Sequence, residues 1–118
     1  MNWMCVFIGG GVGSVLRYAV GLCVDAPTCH RTTFVVNVVG SFVLGLFGGW
    51  CDRFGWPESL RLASTVGLCG GFTTFSTFTK EAFAFAQAGR WGLFAVYVLG
   101  SIVCGFAAVA LGFSLAKN

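Results

Sequence analysis

A chain of 118 residues in which 57% are hydrophobic and only 9% are charged, at a mean hydropathy of +0.86, falls outside the range of soluble domains, which carry about 25% charged residues. A net charge of +3 on scattered side chains, with no nucleophile–base pair or metal-ligand cluster at recognisable spacing, leaves an enzyme without machinery and gives no basis for a nucleic-acid partner. The membrane class remains, with the lipid bilayer as the solvent of most side chains.

Four charge-poor stretches read as crossings, at 3–24, 32–51, 60–88 and 91–116, the third broken near 70–74. Each supplies the run of about 20 mainly apolar residues that spans a hydrocarbon core of about 30 Å. Together with their short loops they use the whole chain, so one all-helical membrane unit over 1–118 is expected.

The first span lacks the basic leader and small-residue cleavage pattern of a signal peptide before Arg17. Its Gly-Gly-Gly-Val-Gly-Ser run follows no predicted strand, so it reads as helix packing rather than a dinucleotide loop. Pairs of small residues four apart (Gly9 and Gly13, Gly45 and Gly49, Gly67 and Gly71, Ser101 and Gly105) predict helices whose backbones approach closely. Arg17 lies inside the span and either snorkels to the interface or holds a positive potential at the mouth of a vestibule. His30 falls in the first loop and reads as solvated. In the second span Asn37 sits about 8 Å inside the helix start, where its carboxamide bonds another helix or faces an anion as a donor. The six cysteines (Cys5, Cys23, Cys29, Cys51, Cys69, Cys104) show no C-x-x-C pair and read as small apolar residues.

The third span carries the chemistry. Residues 70–81 read Gly-Gly-Phe-Thr-Thr-Phe-Ser-Thr-Phe-Thr-Lys-Glu, and lipid cannot hydrogen-bond the hydroxyls they bring to membrane depth. Gly70-Gly71 followed by Thr73-Thr74 is a poor helical sequence, because glycine adds backbone freedom and threonine hydroxyls compete for carbonyls. A break there frees backbone carbonyls, the ligands by which broken transporter helices hold Na+. On a helix, Phe75 and Phe78 share one face, beside a stripe of Thr74, Thr77 and Glu81. Two rings at this spacing pack against lipid or protein, or present their positive edges to a small anion beside hydroxyl donors.

Charge placement bears on orientation. Arg53, Arg61 and Lys117 fall on one side of a four-span chain, and Arg31, Lys80 and Arg90 on the other. The positive-inside rule has no asymmetry to act on. Insertion in both orientations is therefore expected, with opposed copies pairing about an axis in the membrane plane.

Three segments, Gly-Gly-Gly-Val-Gly-Ser-Val-Leu-Arg-Tyr (9–18), Thr-Phe-Val-Val-Asn-Val-Val-Gly-Ser-Phe (33–42) and Gly-Leu-Cys-Gly-Gly-Phe-Thr-Thr-Phe-Ser-Thr-Phe (67–78), resemble the CrcB/Fluc fluoride channels. The likeness covers the whole chain in length, span number and motif order, and the third segment is its most specific part. The resemblance implies an antiparallel, dual-topology homodimer in the bacterial cytoplasmic membrane, with two fluoride pores. It implies a structural, untransported Na+ held by the carbonyls of Gly70 and Thr73, and pore rings at Phe75 and Phe78. It also implies Asn37, Ser76, Thr77, Glu81 and Tyr97 along the fluoride path, and Arg17 at the vestibule. The function implied is passive export of fluoride that entered as HF, lowering its toxicity. Two other readings stand beside it. A small dual-topology, proton-coupled multidrug exporter needs a titratable carboxylate deep in a span, yet the first, second and fourth spans contain no acidic residue and only Glu81 approaches that role. A purely structural assembly protein would use its hydroxyls only between helices.

Overall fold

The computed structural model describes residues 1–24 and 30–117, and these are helical apart from short connections. In chain order they form α1 (Asn2–Val24), α2 (His30–Phe54), α3 (Glu58–Leu62), π-helical turns over Ala63–Cys69, α4 (Gly70–Phe72), α5 (Phe75–Gln87) and α6 (Trp91–Lys117). Three helices, α1, α2 and α6, are long and apolar enough to cross a membrane. At 1.5 Å per residue they run about 35–40 Å, beyond the hydrocarbon thickness. The segment between α2 and α6 is the one that does not form a single helix.

Its irregularity begins before the glycine pair. The hydroxyls of Ser64 and Thr65 donate back to carbonyls of the preceding turn, Ser64 Oγ to Leu60 O at 2.8 Å and Thr65 Oγ1 to Arg61 O at 2.6 Å. Such back-bonding competes with the regular amide ladder, and the widened turns of Ala63–Cys69 follow at this point. Gly70 keeps helical dihedrals (φ −63°, ψ −38°). The chain leaves the helix at Thr73 and Thr74, both extended, and re-enters it at Phe75.

The molecule is assembled from two tight helix pairs. Helix α1 packs along the π-helical turns and α4, while α2 packs along α6. In the first seam a Cβ on Gly9 would collide with the Ala63 carbonyl, one on Gly13 with Leu68 O, and one on Gly71 with Gly10 O. In the second, Gly45 abuts Val109 O and Gly112 abuts Phe42 O with no room for a side chain. The backbones touch, which is how helices gain packing energy when lipid offers no hydrophobic contrast. Ser101 and Gly105 behave differently: a Cβ on Gly105 would meet only Ser41 Oγ, at 3.8 Å, and the pair borders an open cleft with Ser41 and Phe106.

A smaller aromatic core joins α2, α5 and α6. Phe78, Ala82 and Tyr97 are buried, and Phe34, Phe85, Phe94 and Val98 pack around them. Helix α5 ends on Gly89 at φ +73°, where the Arg90 amide reaches back to Phe85 O at 2.9 Å. Only glycine adopts this left-handed cap without strain, and it lets α6 fold back against α5. All four tryptophans (Trp3, Trp50, Trp56, Trp91) lie near helix ends, and Trp50 and Trp56 pack tilted against Phe47 at centroid distances of 6.1 and 5.8 Å. Indoles at both ends mark the levels at which an apolar bundle meets headgroups. Elsewhere Phe7, Val15, Leu22, Val96, Val103 and Phe106 point outward. With three apolar crossing helices and an apolar exterior, this is a multi-pass membrane protein.

Basic residues sit at both ends. Arg53 donates to Ala116 O at 3.3 Å, which places it beside the Lys117 end of α6. Arg90 lies over the Phe85 ring at the other end. Lys80, counted with the far loop in the charge balance, is instead exposed within α5, about 10 Å short of that helix's end.

Candidate functional site

The break is held by side chains of three helices. At its near side Thr73 doubles the last helical bond, its amide and its Oγ1 both donating to Cys69 O at 3.0 and 2.8 Å. With ψ at 161° the chain then runs straight through Thr74. At its far side Thr74 caps α5, its Oγ1 accepting from the Thr77 amide at 3.2 Å. A hydroxyl cap of this kind stabilises a helix start by about 1 kcal/mol. The threonine pair therefore closes one helix and opens the next.

Asn37 of α2 latches the extended residue. Its Oδ1 accepts from the Thr74 amide at 2.8 Å, and its Nδ2 donates to the Thr74 carbonyl at 3.1 Å. A carboxamide is the side chain that offers one acceptor and one donor in this arrangement. It pairs with Thr74 as a neighbouring strand would. The close approach is made possible by Gly40, one turn along α2, where a Cβ would run into the Thr73 side chain.

Diverting these amides has a consequence for the carbonyls. In a continuous helix the Thr74 amide would close on Gly70 O and the Thr77 amide on Thr73 O. The first donates to Asn37 and the second to the Thr74 hydroxyl, so the carbonyls of Gly70 and Thr73 are released from helical pairing. Gly71 O is taken by Arg17 of α1, whose Nε donates to it at 3.3 Å. A cation at the carbonyl end of a helix is favourable. Arg17 thus sits against the end of the interrupted helix rather than along the cleft in front of it.

That cleft, about 320 Å³, is lined by Asn37, Ser41, Gly70, Thr73, Thr74 and Phe75 among others. Phe75 is 77% exposed while Phe78, three residues on, is 9% exposed. Their rings lie 6.0 Å apart at 46°, and Phe78 continues to Tyr97 at 5.1 Å. The Tyr97 hydroxyl donates to Glu81 Oε1 at 2.9 Å, and Glu81 Oε2 is buried with no partner among the described residues. Ser76 is exposed, its Oγ 3.4 Å from the Thr74 hydroxyl. Thr77 contributes its amide to the cap of α5.

The residues singled out in the sequence fall into four groups. Asn37, Gly70, Thr73 and Phe75 share the cleft; Ser76 and Thr77 lie in the first turn of α5; Phe78, Tyr97 and Glu81 form a line leading away from the cleft; Arg17 braces the break from α1. Sequence reasoning passed over Thr74 as the latched and capping residue, although hydroxyl residues at helix starts are a readable signal. His30, read as a solvated loop residue, is exposed, but it opens α2 and its ring also meets Phe85 and Tyr97. The described cysteines are free thiols; Cys29 lies outside the described residues. No group of three or more His, Cys, Asp or Glu side chains suited to a metal occurs among the described residues. The released carbonyls of Gly70 and Thr73 are oxygen donors of the hard kind that would suit an alkali ion.

Fold and site together define a small polytopic membrane protein organised around an interrupted helix, with hydroxyls, a carboxamide and aromatic rings gathered at the interruption. The chain belongs to the CrcB-like protein, Camphor Resistance (CrcB) family, which it matches over residues 4–113. It is similar along its whole length to proteins called fluoride-specific ion channel FluC. That of a Methylobacterium species is 40% identical, covering 100% of this chain and 98% of the relative. That of Novosphingobium aromaticivorans is 44% identical over 96% and 94%. That of Bacteroides fragilis is 42% identical over 91% and 89%.

Proposed function

We propose that this protein is a passive fluoride channel, not an enzyme, and that the surface around the interrupted helix is its conduction path. The observation that carries the reading is the exposed Phe75 ring beside the Asn37-latched break, in line with Phe78, Tyr97 and Glu81. Fluoride holds its water strongly, so a pore must replace that shell with fixed donors. Ring edges of Phe75 and Phe78 carry positive potential. Hydroxyls of Ser76 and Thr77 and the Asn37 amide add hydrogen-bond donors, and the amide-bearing start of α5 adds the positive end of a helix dipole.

The segment α3 to α5 supplies a fourth crossing in this reading, as two half-helices in series. A cleft bearing released carbonyls is costly against lipid, where each unsatisfied backbone group loses several kcal/mol. A second copy in the opposite orientation covers it. Two carbonyls from each copy, Gly70 and Thr73, then give four oxygens around a central Na+, which holds the dimer and is not transported. With Lys80 inside α5, Arg53, Arg61 and Lys117 face Arg31 and Arg90 across the membrane, a difference of one charge that leaves both orientations open in the bacterial cytoplasmic membrane. Flow needs no energy source beyond the potential, worth about 2.3 kcal/mol per charge per 100 mV, which drives an anion out of a negative cytoplasm and so lowers fluoride toxicity.

Efflux from proteoliposomes tests this. Vesicles loaded with fluoride empty quickly through the reconstituted protein, and those loaded with chloride do not. Equal chloride loss would reject selectivity, and proton-driven uptake of a lipophilic cation would support a multidrug exporter instead.

A further inference from the structure

A second cavity, of about 530 Å³, opens at the end of the molecule where α2 and α6 begin, and it shares no lining residue with the cleft at the break. Its walls are almost wholly apolar: Phe34 and Val35 of α2, Phe85 of α5, and Leu93, Val96 and Tyr97 of α6. The lining residue farthest along α6 is Gly100, about 13 Å from the start of that helix. A Cβ at Gly100 would meet nothing within 4 Å. Leu93 and Val96 are 40% and 71% exposed, so the cavity is open on a side that faces lipid. Where α2 begins it is bordered by His30 and Arg31, and the Arg90 guanidinium lies 6.0 Å from the centre of the Phe85 ring.

We propose that this cavity holds an acyl chain of an anionic phospholipid, with the headgroup phosphate at Arg31. The site does not depend on what the protein conducts. An unfilled gap of this size at hydrocarbon depth forfeits the dispersion contacts of its walls, and each CH2 of an acyl chain that enters it is a gain. The charge at the mouth selects the headgroup. No acidic side chain among the described residues lines the cavity. Asp25, which follows Val24 in sequence and lies outside the described residues, sets one carboxylate against Arg31 and Arg90, so this end is net positive. Basic pockets between membrane helices hold anionic headgroups. Arg31 also has a contact within the chain, and the five N–H donors of a guanidinium leave it capacity for a phosphate. Trp91 at the start of α6 marks the headgroup level at the same end. The seated chain packs against the ring of Tyr97, whose hydroxyl holds Glu81.

Native mass spectrometry of the full-length protein in mild detergent tests this, with phosphatidylglycerol or phosphatidylcholine of the same oleoyl chains supplied. The wild-type protein retains phosphatidylglycerol about fivefold better, the ratio equivalent to about 1 kcal/mol for one basic side chain at an anionic headgroup. Arg31→Gln removes that preference, and Arg61→Gln, which takes a charge from the other end of the molecule, keeps it. Gly100→Leu puts a side chain into the open space of the cavity and lowers retention of phosphatidylglycerol severalfold. Glycerol 3-phosphate, which carries the headgroup charge without a chain, does not displace the lipid. Equal retention of the two lipids by the wild-type protein overturns the proposal, as does a preference kept in full by Arg31→Gln or displacement by glycerol 3-phosphate. If Arg31→Gln does not fold, Gly100→Leu decides, and undiminished retention of phosphatidylglycerol by that variant overturns the proposal. A Gly100→Leu protein that keeps its lipid and loses its partner copy assigns the cavity to a second chain instead.

Discussion

At the scale of the residue, Asn37 does more for this structure than its place in an apolar helix suggests. One carboxamide satisfies both polar groups of Thr74, the residue that leaves the helix. Removing it leaves a donor and an acceptor unpaired, at about 1–3 kcal/mol each where water is excluded. Asn37→Ala is therefore expected to lower thermal stability in detergent and to reduce fluoride flux together. Asn37→Asp keeps the acceptor for the Thr74 amide but loses the donor and adds a negative charge beside the path. It is expected to retain more stability than the alanine variant and to lose as much flux. Equal stability loss in both would mean that the Thr74 amide contact is not what holds the break. The sequence located this residue as a polar group at depth, with an interhelical bond and an anion contact both open; the partner was not readable, because Thr74 comes near only when the third segment breaks.

At the scale of the element, the glycine pair drew attention to the break, yet the chain departs from helix three residues later. Glycine permits a break without requiring one. The deciding groups are the threonine hydroxyls: Thr73 ends one helix on Cys69 O, and Thr74 starts the next through the Thr77 amide. Thr74→Val keeps the shape and removes the cap, with an expected loss of about 1 kcal/mol, measured by denaturation in mixed micelles. A variant as stable as wild type would show that Asn37 alone sets the break. The same hydroxyl logic explains the π-helical turns before it, which nothing in the apolar pattern announced. The helix ends, by contrast, lie close to charge and Trp: α1 ends before Asp25, α6 runs from Trp91 to Lys117, and α2 runs a turn past Trp50 to Phe54. Small-residue spacing likewise marked the seams at Gly9, Gly13 and Gly45, where a carbonyl of the facing helix occupies the space of a Cβ. It did not distinguish the Ser101–Gly105 pair, because spacing alone cannot say whether a facing helix is present. Gly13→Val, which drives a branched side chain into Leu68 O and the Phe72 amide, is expected to destabilise by about 1–3 kcal/mol or more and to prevent assembly, as read by size-exclusion chromatography.

At the scale of the whole molecule, the open face around Phe75 is the feature that a single chain leaves unexplained in a membrane. The proposed antiparallel dimer covers it with an opposed second copy, and that proposal has two checks. A reporter fused to the C-terminus scores on both membrane faces if insertion is dual; a one-sided signal contradicts it. Replacing sodium with a large organic cation during purification weakens the dimer if Gly70 and Thr73 carbonyls hold Na+ at its centre, and leaves it unchanged if they do not. The most direct test concerns the rings themselves. Phe75→Ile and Phe78→Ile keep apolar bulk but remove the aromatic edges, so fluoride efflux from proteoliposomes is measured for each, alongside the oligomeric state. The account predicts that efflux collapses while the protein stays folded and dimeric; efflux at the wild-type rate in both variants would contradict it.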